Sequence, residues 1–126
     1  EGNRMPSTKL MVADELPDSD PQKKVIEDFL RLYHEKGIDR QFPINTHSGY
    51  AWDAIMIVAE AMKKAGTKPQ ALRAAIENTR NHVGVSGIYN LSPEDHNGLD
   101  VDSMVIVEVK NAAFTGDDTQ DLALCF

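Results

Sequence analysis

Cysteine is almost missing from this sequence. Its 126 residues include one, Cys125, next to the C-terminal Phe126. No internal disulfide can form, and no zinc-ligand spacing exists. One cysteine does not separate a reducing compartment from an oxidising one. Clustered positive charge is missing too. Thirteen Lys and Arg stand against twenty Asp and Glu, the formal charge is −7, and no basic run exceeds a pair of lysines. Phosphate backbones and anionic membranes demand concentrated Lys and Arg, so nucleic acid is excluded as a partner. The longest apolar stretch, from about residue 50 to 65, is too short and too interrupted to span a bilayer. There is no signal peptide, no internal repeat and no initiating Met, so the chain reads as a processed protein or a piece of a longer one.

What remains is ordinary for a globular protein: 41% hydrophobic and 26% charged residues, in a length that suggests one domain. The organising stretch is Thr46-His47-Ser48-Gly49-Tyr50-Ala51-Trp52-Asp53-Ala54-Ile55-Met56-Ile57-Val58-Ala59-Glu60-Ala61-Met62. It is small and polar at first, then apolar on nearly every side up to Lys63 and Lys64, which predicts a helix buried all round. Gly66 ends it, with the two lysines at the negative end of the helix dipole. Trp52, at its entry, reads as core. Asp53 reads as a complement to the dipole.

The flanking segments follow from turn chemistry and periodicity. Residues 1–8 are polar and carry Gly2 and Pro6, the pattern of a loop or frayed end. Lys9-Leu10-Met11-Val12-Ala13 predicts a short buried strand. Asp20 as N-cap and Pro21 at the first helical position predict a helix carrying Val25, Ile26, Phe29, Leu30 and Tyr33, stopped by Gly37. Thr67 is the expected N-cap of a half-exposed helix bearing Leu72, Ala75, Ile76 and Thr79. Residues 81–87, marked by Gly84 and Gly87, read as a flexible loop, and Ile88–Leu91 as a short strand. Ser92-Pro93-Glu94-Asp95-His96-Asn97-Gly98 is dense in turn residues. Met104–Val109 is the strongest strand signal; one charge in six predicts burial on both faces, as in a parallel or central strand. Asn111-Ala112-Ala113 turns, and residues 115–126 form a tail.

No reactive constellation survives inspection. His34 and His82 read as surface residues. Asp95, His96, Asp100 and Asp102 invite a metal reading, but they lack the spaced ligands and closing Glu of a calcium loop and are simpler as a turn. His47 beside Ser48 makes no nucleophile–base pair, because adjacent side chains rarely face each other and no G-x-S-x-G elbow is present. Asn90-Leu91-Ser92 is formally a glycosylation sequon. The residue pattern thus points to no cofactor, no metal and no enzyme.

Three segments, taken together, resemble a known family. They are Leu16-Pro17-Asp18-Ser19-Asp20-Pro21 before the helix with Phe29 and Tyr33; Gly49-Tyr50-Ala51-Trp52-Asp53-Ala54 opening the helix that ends Ala65-Gly66; and Gly84 and Gly87 followed by Ser92-Pro93-Glu94-Asp95-His96-Asn97-Gly98-Leu99 and the strand Met104–Val109. In this order they resemble the C-terminal third of type I periplasmic solute-binding proteins, in particular the branched-chain amino acid binding components of ABC transporters.

The resemblance implies an α/β fold, a fragment of a two-lobed type I periplasmic-binding-protein architecture with helices packed on a mainly parallel sheet. It implies that residues 9–45 belong to the C-terminal lobe and 46–103 to the N-terminal lobe. Residues 104–114 would then cross back, leaving 115–126 as a tail. It implies a periplasmic binder of an amino acid or related carboxylate that delivers its ligand to an ABC transporter permease. By the same resemblance His47, with Ser48 and Tyr50, faces the ligand. Two departures stand out. The Leu/Ile/Val binders carry an apolar aromatic where this chain has His47, and Asn111 is followed by Ala112 where the family has Gly. An isolated fragment of this kind is expected to self-associate. The alternatives are the sensor domain of a receptor, or a self-contained small acidic interaction domain or enzyme.

Overall fold

The computed structural model describes residues 1–116, so the remainder of the expected tail, Cys125 included, lies outside the described residues. The chain runs through β1 (Arg4–Thr8), two 3₁₀ turns (Lys9–Glu15), α1 (Lys23–Glu35), a 3₁₀ turn (Ile38–Arg40), α2 (Thr46–Ala65) and α3 (Pro69–Glu77). It continues through β2 (His82–Val83), β3 (Ile88–Tyr89), a 3₁₀ turn (Val101–Ser103), β4 (Met104–Lys110) and β5 (Ala113–Gly116).

The first strand and the last two meet in one sheet of order β1-β4-β5. β4 is the central strand, as its apolar run predicts, but the expected burial on both faces is not met: Val107 at its middle is fully buried while Met104 at its start is 42% exposed. Its partner β1 pairs Arg4 with Glu108 and Thr8 with Met104. Residues 1–8 therefore do not fray. Pro6 is tolerated because β1 is an edge strand, where one ladder donor can be missing. Asn111 and Ala112, at φ 53° and 61°, make a two-residue turn into β5. Left-handed residues at both central positions give the turn a twist that matches the strands. Among the described residues the strand pairs β1·β4, β4·β5 and β2·β3 are all antiparallel. The mainly parallel pairing expected from the resemblance is not what this stretch contains, because β4's neighbours are its own hairpin partner and the chain's first strand.

Between these strands, the helices build the core. Leu10, Leu16, Ile26, Phe29 and Val85 form one buried cluster, with Trp52, Tyr33 and Ile44 packed against it. Phe29 meets Trp52 edge-on at 5.5 Å and Tyr33 at 5.4 Å between ring centroids. Residues on both sides of position 45 thus share one core. Ile57, Tyr89 and Leu91 form a second cluster with Ile76 and Leu99.

Several local expectations shift. Lys9–Ala13 is not a strand but part of a kinked pair of 3₁₀ turns, with Val12 off helical geometry. Asp14, Glu15 and Pro17 follow at once, and Leu10 and Val12 are buried without strand pairing. α1 starts at Lys23, with Gln22 as N-cap; the Asp20 carboxylate accepts the Gln22 N–H at 2.8 Å and pairs with Lys9 at 2.8 Å. Gly37, at φ 65°, does stop that helix's run. The N-cap of α3 is Lys68 rather than Thr67, because Pro69 takes the first helical position.

The largest correction concerns α2, which is not buried all round. Gly49, Asp53, Ile57 and Ala61 line its buried face. Ile55 is 69% exposed and Met62 41%.

Candidate functional site

The site expected from sequence is the first turn of α2. Asn45 caps it: its side chain accepts the Ser48 N–H at 3.1 Å, and Ser48 Oγ accepts the Asn45 N–H at 3.2 Å while donating to the Asn45 carbonyl at 2.6 Å. This reciprocal box satisfies donors that would otherwise be orphaned. The Ser48 hydroxyl is therefore occupied in holding the helix entry. His47 beside it is exposed, and Tyr50 is 40% exposed one turn on. The structure brings His47, Ser48 and Tyr50 to one helix end, with the imidazole and the phenol facing outward.

One turn further on lies a buried polar joint that sequence reasoning missed. Asp53 is 1% exposed, and its carboxylate accepts the Val85 N–H at 2.7 Å, the Ser86 N–H at 2.8 Å and the Tyr89 hydroxyl at 3.1 Å. From the other side Gln22, also 1% exposed, donates its amide to the carbonyls of Gly84 at 3.1 Å and Val85 at 3.3 Å. A loop without regular pairing is thus satisfied by two buried side chains, one accepting and one donating. Burial of the backbone without such partners would cost heavily. The expected flexible loop is instead among the most enclosed parts of the chain, with Val85 and Ser86 at 0% and 1% exposure.

Close approach explains the glycines. A Cβ on Gly84 would lie 2.7 Å from the Asp53 carboxyl carbon, and one on Gly49 would lie 2.9 Å from Ser86 Oγ. Burial, and then the neighbouring Asp53 carboxylate, push the Tyr89 phenol well above its ordinary pKa, so it serves as a donor. The sequence did carry a signal: an Asp inside a helix face otherwise made of Gly, Ile and Ala, with glycines in a later loop.

The remaining polar candidates are local. Asp95 accepts the N–H groups of Asn97 and Gly98, and Ser92 Oγ those of Glu94 and Asp95, which makes the 92–98 segment a self-bonded turn. His34 is exposed and bonds Asp39 at 3.0 Å. His82 is more enclosed than expected, its side chain 11% exposed, 3.4 Å from Glu60 and against the Tyr89 ring. An apolar groove of about 420 Å³ lies between α3 and this turn, lined by Pro69, Leu72, Ile76 and Leu91. His47, Ser48 and Tyr50 do not line it, and its polar groups Arg73, Glu77 and His96 bond one another. Its position therefore offers no support to the expected site.

Comparison with solved structures places this arrangement. An extracellular ligand-binding receptor from Rhodopseudomonas palustris HaA2 superposes with a TM-score of 0.79 at 26% identity, over 93% of this chain and 34% of its own. A type 1 periplasmic binding protein from Bordetella pertussis Tohama I gives 0.67 at 23% identity, over 91% of this chain and 32% of its own. The chain carries part of a type I periplasmic-binding-protein fold. A leucine binding protein from Thermotoga maritima MSB8 shares that fold, with a TM-score of 0.66 and 24% identity over 93% of this chain and 30% of its own. The chain spans about a third of the length of these structures. No protein-family model and no curated protein sequence matches it. The similar structures are described as binding proteins and ligand-binding receptors, the first of them extracellular and the second periplasmic. Among the described residues no helix is long and apolar enough to cross a membrane.

Proposed function

We propose that this chain is part of an extracytoplasmic solute-binding protein and contributes to its ligand cleft. The ligand is an amino acid or related carboxylate, delivered to an ABC transporter permease, and no catalysis is involved. The observation that carries the reading is the fold match at TM-score 0.79 to a ligand-binding receptor. The exposed His47 and Tyr50 at the capped start of α2 support it, since an imidazole at a positive helix end suits a carboxylate. The Ser48 hydroxyl makes the cap with Asn45 and so holds the helix entry beside His47. Lobe membership follows the resemblance, with 104–114 as the crossing strand. The isolated 126-residue chain, with Ile55 and Met62 exposed, self-associates.

The test is calorimetry on the source protein at its natural length, titrated with leucine and then with the other L-amino acids. Micromolar or tighter binding of one of them, weakened about tenfold or more by His47→Ala through loss of a charge-assisted bond, is the expected result. Binding unaffected by His47→Ala would remove His47 from the cleft. No binding of any amino acid would remove amino acids as the ligand.

A further inference from the structure

α2 has two apolar faces, and this chain covers only one. Gly49, Asp53, Ile57 and Ala61 are buried against the rest of the chain. On another side Ala51, Ile55, Val58 and Met62 follow at steps of four, three and four residues, the spacing of an interface seam. All four are exposed, Ile55 at 69%, Met62 at 41% and Val58 at 36%. Ala54 beside them is exposed as well and adds no bulk. A helix that faced water on this side would carry polar residues there. Contiguous exposed apolar surface of this kind marks a contact.

We infer that this second face is an internal interface, and that its occupant is further polypeptide of the same binding protein. Length argues for this occupant. The receptor that matches 93% of this chain does so with 34% of its own residues, so about two-thirds of such a molecule lies outside the matched part. The seam is aliphatic and free of charge, with Lys63, Lys64 and Glu60 only at its margins. That character suits a permanently packed layer better than a transient partner. The inference rests on the fold match and not on solute binding, so its test is made without any ligand.

The experiment is thiol labelling of Ile55→Cys in a Cys125→Ser background. It is performed on the 126-residue chain at high dilution and on the source protein at its natural length. Glu27→Cys, on the exposed side of α1, serves as control. The thiol introduced at position 55 should react freely in the short chain and at least about tenfold more slowly in the longer one, as an enclosed thiol does. The thiol at position 27 should react alike in both. Equal rates at position 55 would make the face a solvent face and overturn the inference. So would protection in the longer protein that appears only as its concentration rises, which would assign the face to a second copy.

Discussion

The two sides of α2 differ in apolar content and behave in opposite ways: the side with more aliphatic bulk is the open one. On one side Asp53 stands among Gly49, Ile57 and Ala61, and the whole face is enclosed. On the other, Ile55, Val58 and Met62 carry no polar residue between them and lie open. The polar residue marks the buried face and the aliphatic ones the exposed face, which inverts the usual reading of hydrophobicity. The difference teaches that hydrophobicity alone does not say which face a given stretch of chain covers. The enclosed face is specified by directional groups: a carboxylate reaching two amides and a phenol, and glycines that let the backbones touch.

That contrast can be broken from the enclosed side first. Asp53→Ala leaves the Val85 and Ser86 amides and the Tyr89 hydroxyl without their acceptor in a dry site. A loss of about 3–5 kcal/mol is expected, a large part of any domain's stability. Guanidinium denaturation reads it, and a loss below about 1 kcal/mol would mean that water replaces the carboxylate. Trp52→Ala should cost less, about 2–3 kcal/mol, because Trp52 is half-buried and makes its main ring contact with Phe29. A larger loss, matching that of Asp53→Ala, would place the weight of the core on the aromatic cluster. Ile55→Asp, measured at low protein concentration, should change stability by no more than about 0.5 kcal/mol. A substantial loss there would show that the open face packs against this chain after all.

Much of this architecture was legible in the residues. Met104–Val109 read as a central strand, Gly37 and Gly66 as helix stops, and Ser92–Gly98 as a turn, because each depends on local chemistry. The fold family was legible from motif order. What escaped were features set by partners distant in sequence. Arg4–Thr8 looks like a loop until β4 pairs with it from the far end of the described chain. Gly84–Gly87 looks flexible until Gln22 and Asp53 close on it from 62 and 32 residues away. α2 looked buried all round because composition reports apolar faces without saying whether this stretch of chain contains what covers them. At the expected site, the gathering of His47, Ser48 and Tyr50 at one helix end was readable, whereas the use of Ser48 in the cap depended on the geometry of Asn45.

Native-state hydrogen exchange at the Val85 and Ser86 amides tests the central claim, that a buried carboxylate turns this loop into the joint of the structure. If Asp53 holds both amides as the distances of 2.7 and 2.8 Å indicate, they exchange only through global unfolding. Their opening free energy then equals that of the slowest amides in α2. Exchange of either amide at the rate of an exposed loop, while α2 stays protected, would contradict it.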